Sequence, residues 1–140
     1  MAFVSITRLR LRRWWYLPAF VLAALRSMRQ AKRSPGLIGV AILRDAKATF
    51  WTASIWENEE VMRSFMTSGA HGKIMPSLMR WCDEASVTHW EQEDRVLPSW
   101  LECYERMKRG GRTSKVRFPS ANHKAMLIPP PLFGVGRELT

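Results

Sequence analysis

The segment Thr49 to Trp56, TFWTASIW, constrains this chain more than any other. It alternates as a β-strand does, with Phe50, Thr52, Ser54 and Trp56 on one face and Trp51, Ala53 and Ile55 on the other. Successive strand side chains point to opposite faces of a sheet, so large apolar groups at both parities mean that both faces are covered. In a small domain helices cover one of them. A second sheet, from another copy of the chain, is the natural cover for the other. The strand therefore predicts a homodimer with a lined cavity between sheets.

The neighbouring segments fall into place around it. Ala2 to Arg12 alternates and reads as a first strand. An amphipathic helix is expected from about Pro18 to Lys32, with Pro18 in its first turn and Phe20, Ala24, Leu25 and Met28 on one apolar stripe. Ser34-Pro35-Gly36 ends it, Leu37 to Leu43 is a second strand, and Arg44 to Lys47 turns into the central one. Asn58 caps a further helix, with Glu59 and Glu60 where the helix dipole favours negative charge. Ser68-Gly69 interrupts it, and a second helical piece runs from Ala70 to about Asp83, with Pro76 kinking it or marking its first turn. Ala85 to Glu93 is the last strand, so Asp83-Glu84 reads as a helix end. The order strand, helix, strand, strand, helix, strand is α+β and ferredoxin-like (βαββαβ), a four-stranded sheet with both helices on one face. An extra C-terminal helix, Trp100 to Lys108, ends at Gly110-Gly111. We expect a domain over residues 1–111 and a loose, basic, proline-containing tail over 112–140.

Charge is unevenly spread. The net charge of +10 divides into +9 for Met1 to Arg44, which holds no acid, −5 for Asp45 to Asp94 and +6 for the remainder. Basic flanks suit a solvated surface, anionic lipid or an acidic partner. No zinc-finger spacing, aromatic ribonucleoprotein motif or helix-turn-helix pattern points to specific nucleic acid. The apolar run Trp14 to Leu25 is about twelve residues, short of the roughly 20 that a spanning helix needs. A strand precedes it and no small-residue cleavage site follows, which argues against a signal peptide. Trp14, Trp15 and Tyr16 beside Arg12 and Arg13 suit a cap on the core, or contact with a membrane surface. Cys82 and Cys103 lack a metal-ligand or CxxC spacing and fit a reduced, cytoplasmic setting, membrane-peripheral if the basic helix docks.

Among candidate site residues His71 stands out. Ile74, Met75, Leu78 and Cys82 follow at helical spacing, so it lies on the apolar stripe. An imidazole there is open to three roles: a haem ligand, a base, or a structural hydrogen bond to a carbonyl. His89, between Thr88 and Trp90, reads as a core or rim histidine. Trp51, Trp56, Trp81 and Trp90 line a pocket or form core, and Met62, Met66, Met75 and Met79 suit an adaptable apolar wall. Three dispersed histidines argue against a zinc site, no paired carboxylates suggest glycosidase work, and no Gly-rich phosphate loop is present.

The pattern Thr52-x-Ser54-x-Trp56-Glu57, Met62-x-x-Phe65, Gly69-Ala70-His71, Met75, Leu78, Trp81 and Thr88-His89-Trp90 resembles the dimeric α/β-barrel superfamily. It is most similar there to spheroidene monooxygenase-like proteins and to an uncharacterised family related to the antibiotic biosynthesis monooxygenases. The resemblance spans roughly Ala2 to Asp94. It implies a ferredoxin-like protomer forming a dimeric α/β barrel, with a cavity for an apolar small molecule. It implies a monooxygenase-like activity on an aromatic or polyene substrate, either with haem at His71 or without a cofactor. The pocket would then be lined by Trp51, Trp56, Met62, Phe65, Met75, Trp81 and His89. The alternative is a non-catalytic binding or interaction module of the same fold, its basic flanks on a membrane surface or an acidic partner.

Overall fold

The structure, a computed structural model, describes residues 1–114, 116–125, 127–129, 131 and 136–138, with side chains excepted at 70 and 136–138. Strand β1 (Ala2–Leu11) leads through a 3-10 turn at Trp14–Tyr16 into helix α1 (Leu17–Arg33). The chain continues through β2 (Leu37–Asp45), β3 (Thr49–Trp56), α2 (Glu59–Thr67), α3 (Gly69–Trp81) and β4 (Cys82–Gln92). Helix α4 (Trp100–Gly110), the short strand β5 (Arg112–Thr113), one turn of helix α5 (Ala121–Lys124) and β6 (Gly136–Glu138) follow. The sheet order is β5-β4-β1-β3-β2-β6, each pair antiparallel. Its inner four strands, crossed by α1 and by the α2–α3 pair, form the expected ferredoxin-like α+β arrangement.

Local chemistry sets the boundaries. Asn58 accepts the Val61 amide at 3.0 Å, as an N-cap does. Lys32 and Arg33 sit in the last turn of α1, where positive charge suits the helix dipole. Gly36 then turns the chain at φ +89°, and a Cβ there would lie 2.7 Å from Val61 Cγ2. Glycine is thus required by conformation and by space. Pro76 lies inside α3, which continues through it. The stripe that α1 turns inward is Phe20, Met28 and Ala31 with Ala24 half-buried, whereas Leu25 faces out.

The sheet is covered on both faces, but not as the sequence suggests. On one face lie α1, α2 and α3. On the other, Val4, Ile6, Trp51, Ala53 and Ile55 are buried with Cys103 and Met107 of α4. The chain's own C-terminal helix, with its half-buried Trp100 and Tyr104 and with Leu97 just before it, supplies the cover expected from a second copy. Burying a Met or Ile side chain contributes roughly 1.5–3 kcal/mol, so one amphipathic helix suffices to hold that face dry. The apolar parity of β3 therefore no longer requires a partner sheet.

Asp83 and Glu84 also differ from expectation. The chain passes from Trp81 directly into β4, so both lie in the strand rather than at a helix end. Glu84 is 2% exposed and accepts Arg8 Nη1 at 2.7 Å and Arg10 Nη1 at 2.8 Å from β1. Burial alone would raise its carboxyl, but these bonds and one from Ser120 Oγ at 2.9 Å bring it below the usual range. Beyond Gly111, described pieces of the tail lie along the sheet: β5 pairs with β4, and the Ser114 amide donates to the Ala85 carbonyl at 2.8 Å. Pro130 and most of the final nine residues lie outside the described part.

Candidate functional site

Between the sheet and α1, α2 and α3 lies a cavity of about 460 Å³. Its cause is visible in the strand registers. Facing the helices, β1 presents Phe3, Ser5, Thr7 and Leu9, and β3 presents Trp56, Ser54, Thr52 and Phe50 opposite them in that order. Large side chains thus pair at both ends and small hydroxyl side chains pair in the middle. The two central rows leave space beneath the helices, and His89 and Val87 of β4 extend them sideways opposite Ser5 and Thr7. The floor is therefore a polar strip framed by aromatic and aliphatic groups. The walls are apolar and adaptable, with Met28, Met62, Met66 and Met79 among them.

His71 is placed by the break between α2 and α3. Gly69 takes φ +59° there, and the Gln30 side chain of α1 bridges the gap. Its Nε2 donates to the carbonyls of Phe65 at 3.2 Å and Ser68 at 2.7 Å, while its Oε1 accepts the His71 amide at 2.8 Å. The His71 ring lies 4.8 Å from that of Phe65, which in turn lies 5.2 Å from Trp56. His71 Nδ1 is 3.1 Å from the Met66 carbonyl. A carbonyl only accepts, so Nδ1 carries the proton and Nε2 is left as the lone-pair nitrogen. Burial pushes the His71 pKa down, and the Met66 bond offsets part of that. His89 is pushed down by burial and by the Arg112 and Arg63 cations, against Glu59. Its Nε2 is shielded from water and has no hydrogen-bond partner among the described residues, and its ring lies 5.5 Å from Phe3. Both imidazoles are neutral at neutral pH. They can accept a proton or donate a neutral hydrogen bond.

Six of the eight site residues expected from sequence come together here: Trp56, Met62, Phe65, His71, Met75 and His89. Met75 stands at the rim, 39% exposed. The other two are elsewhere. Trp51 has the opposite parity to Trp56, so it packs against α4 and donates its indole proton to Asp45 at 3.2 Å. Trp81 is buried beyond the cavity with Leu11, Phe20 and Phe50, stacked on Tyr16 at 6.3 Å. Tyr16 does cap the core as expected, whereas Trp14 and Trp15 stand out in solvent. The residues missed were Ser5, Thr7, Thr52 and Ser54, whose signal is the large-small-small-large alternation shared by β1 and β3. Gln30 carried no signal in sequence, because its role depends on a helix break 35 to 41 residues away.

The donor set does not point to a metal ion, since no group of three His, Cys, Asp or Glu converges among the described residues. Haem at His71 gains no support from the geometry either. The Met66 bond leaves Nε2 free and so decides nothing, and nothing among the residues lining the cavity singles out a porphyrin.

No protein-family model matches the chain, and the search of curated proteins returned no relative. Solved structures do match in fold. A conserved protein from Methanosarcina mazei Go1 superposes with a TM-score of 0.60 at 12% identity, over 66% of this chain and 94% of that one. A protein of Nitrosomonas europaea provisionally named an antibiotic biosynthesis monooxygenase gives 0.59 at 16%, over 65% and 89%. A mutant of SnoaB, a cofactor-independent oxygenase from Streptomyces nogalater, gives 0.57 at 12%, over 66% and 94%. The chain thus has the fold of the antibiotic biosynthesis monooxygenase-like proteins, as its resemblance implied. At these identities the likeness is one of fold.

Proposed function

We propose that the cavity binds a small, largely apolar ring compound and that the protein acts on it as a monooxygenase-like enzyme without a bound cofactor. The observation that carries this is the cavity itself: about 460 Å³, within the roughly 300–1,000 Å³ usual for ligand sites, apolar in its walls and polar along one strip. The strip would orient a phenol or enol hydroxyl. His71 Nε2, neutral and carrying the lone pair, would take a proton from an activated C–H or O–H of the ligand. The resulting delocalised anion can itself reduce dioxygen. For a methylene, the balance is CH₂ plus O₂ giving C=O plus H₂O, with all four electrons from the substrate. SnoaB, of like fold, is a cofactor-independent oxygenase, which supports the cofactor-free form over a haem-dependent one.

The test is oxygen uptake with polycyclic phenols bearing an activated methylene, in the presence of a chelator. Uptake above the spontaneous rate is expected, with a loss of about 10²-fold or more in His71→Ala. Thr7→Ile with Thr52→Ile, a pair that fills the central row, should abolish binding while the fold persists. Binding without oxygen uptake would make the protein a carrier or sensor on the same fold. No binding of any such compound, or uptake indifferent to both changes, would sink the proposal.

A further inference from the structure

Helix α1 has two faces, and the cavity accounts for only one. Phe20, Ala24, Ser27 and Met28 turn inward and line it. The outward face begins with Trp14 and Trp15 and continues through Val21, Leu22 and Leu25, all exposed; Trp14 is 76% and Leu25 58% accessible. From Arg26 onward the same face turns basic: Arg26, Arg29, Lys32 and Arg33 are exposed, and none has an ion-pair partner among the described residues. At the other end the Arg13 guanidinium lies 5.9 Å from the Trp15 ring. Helix α3 packs beside α1 and adds exposed Lys73 and Arg80. No acid occurs before Asp45.

We propose that this face docks on an anionic lipid bilayer. Contiguous exposed apolar side chains are unusual on a protein's water face, and here they are bracketed by tryptophan and arginine. Trp favours the headgroup level, Leu and Val enter the acyl boundary, and Lys and Arg reach back to phosphates. The charge pattern selects among occupants. A second copy would bring an acid-free basic face against itself, and a nucleic acid would leave Leu22 and Leu25 opposite phosphates. An anionic bilayer satisfies both halves. No helix among the described residues is long and apolar enough to cross a membrane, so the contact is interfacial. The docking does not depend on what the cavity binds. If the cavity takes an apolar ligand as proposed above, that ligand exchanges with a bilayer one helix diameter, about 10 Å, away.

The full chain is floated with vesicles of phosphatidylcholine, with and without phosphatidylglycerol, at low and high salt. Association with the anionic vesicles, a blue shift of tryptophan emission and weakening by salt are expected. Leu22→Ser with Leu25→Ser should weaken partitioning about tenfold or more per residue. Arg26→Gln with Arg29→Gln should weaken it about fivefold per charge. These side chains are exposed, so the variants should keep the thermal midpoint and any cavity ligand of the parent, which separates this test from that of the enzyme reading. Absence of binding to anionic vesicles overturns the proposal, as does equal binding to neutral ones or binding indifferent to the substitutions. It is also overturned if Leu22→Ser with Leu25→Ser only converts a dimer to a monomer in sedimentation.

Discussion

Glu84→Gln tests the ion cluster that sequence reading placed at a helix end. The parent carboxylate is buried and accepts from Arg8, Arg10 and Ser120 within 2.7–2.9 Å. Arg8 is itself 4% exposed, so neutralising Glu84 leaves a guanidinium in the interior without its counter-charge. Removing one partner of a buried pair costs roughly 3–5 kcal/mol, whereas an exposed pair such as Arg63–Glu59 is worth about 0.2–1 kcal/mol. Gln keeps the shape and one acceptor, so about 3 kcal/mol is expected for Glu84→Gln. With a urea slope of about 1–3 kcal/mol per M, the midpoint falls by about 1–3 M. Glu59→Gln is the control and should move it little. The pH dependence follows from the lowered carboxyl pKa. Its stabilisation is complete above the ordinary value of 4.5 and is lost as pH falls through the lower folded value. Parent and variant should therefore converge in acid. A difference below about 1 kcal/mol at neutral pH, or one that does not shrink in acid, would refute the reasoning.

Other consequences are as direct. Met107→Ala, at a fully buried position, should cost roughly 2–5 kcal/mol in urea unfolding; less than 1 would mean that α4 is not the cover of its face. Burial pushes the Cys82 and Cys103 thiols up to about 12 from 9.0. Near neutral pH their thiolate fraction is then about a thousandfold below that of an exposed thiol, so thiol reagents should label neither until urea unfolds the chain. Rapid native labelling of either would contradict this. In NMR titrations the imidazoles of His71 and His89 should have midpoints below 6.5, because burial disfavours the cation. Midpoints above that value would place both rings in a more polar site than the structure shows.

Much of the fold was legible because it rests on local periodicity. The parity of β3, the Asn58 cap and the break at Gly69 each need only a few residues to be read. What was not legible needed partners distant in sequence. Asp83-Glu84 looked like a helix end because two adjacent acids are usually solvated; only β1, more than 70 residues earlier, brings the two arginines that let Glu84 be buried. The cover sought from a second copy, because both parities of β3 are apolar, is supplied by α4 within one chain, and nothing in residues 100–110 says which face their helix will cover. At the site, His71 and its apolar stripe were readable, whereas Trp51 was grouped with Trp56 and Trp81 as a wall although it lines the other face of the sheet. Its parity alone already excluded it from a cavity that contains Trp56.

The two faces of one sheet thus divide the work residue by residue. At Trp51 a large group meets α4 and closes space; at Thr52, one position on, a small hydroxyl leaves space open. The same switch occurs between Ile6 and Thr7 and between Val4 and Ser5. Close packing normally removes voids, because each costs dispersion contacts and burial. A cavity that persists across three helices therefore reflects the choice of Ser and Thr in two paired rows, where Val or Ile would favour the strand as well and fill the volume. Large residues flank those rows at both ends, so the gap is bounded rather than a general looseness of packing. The face held by α4 is filled along its length by large apolar groups, whereas the opposite face concentrates its buried clusters at the two ends of the small-residue rows. Between those ends the neutral imidazoles and the hydroxyl strip are found.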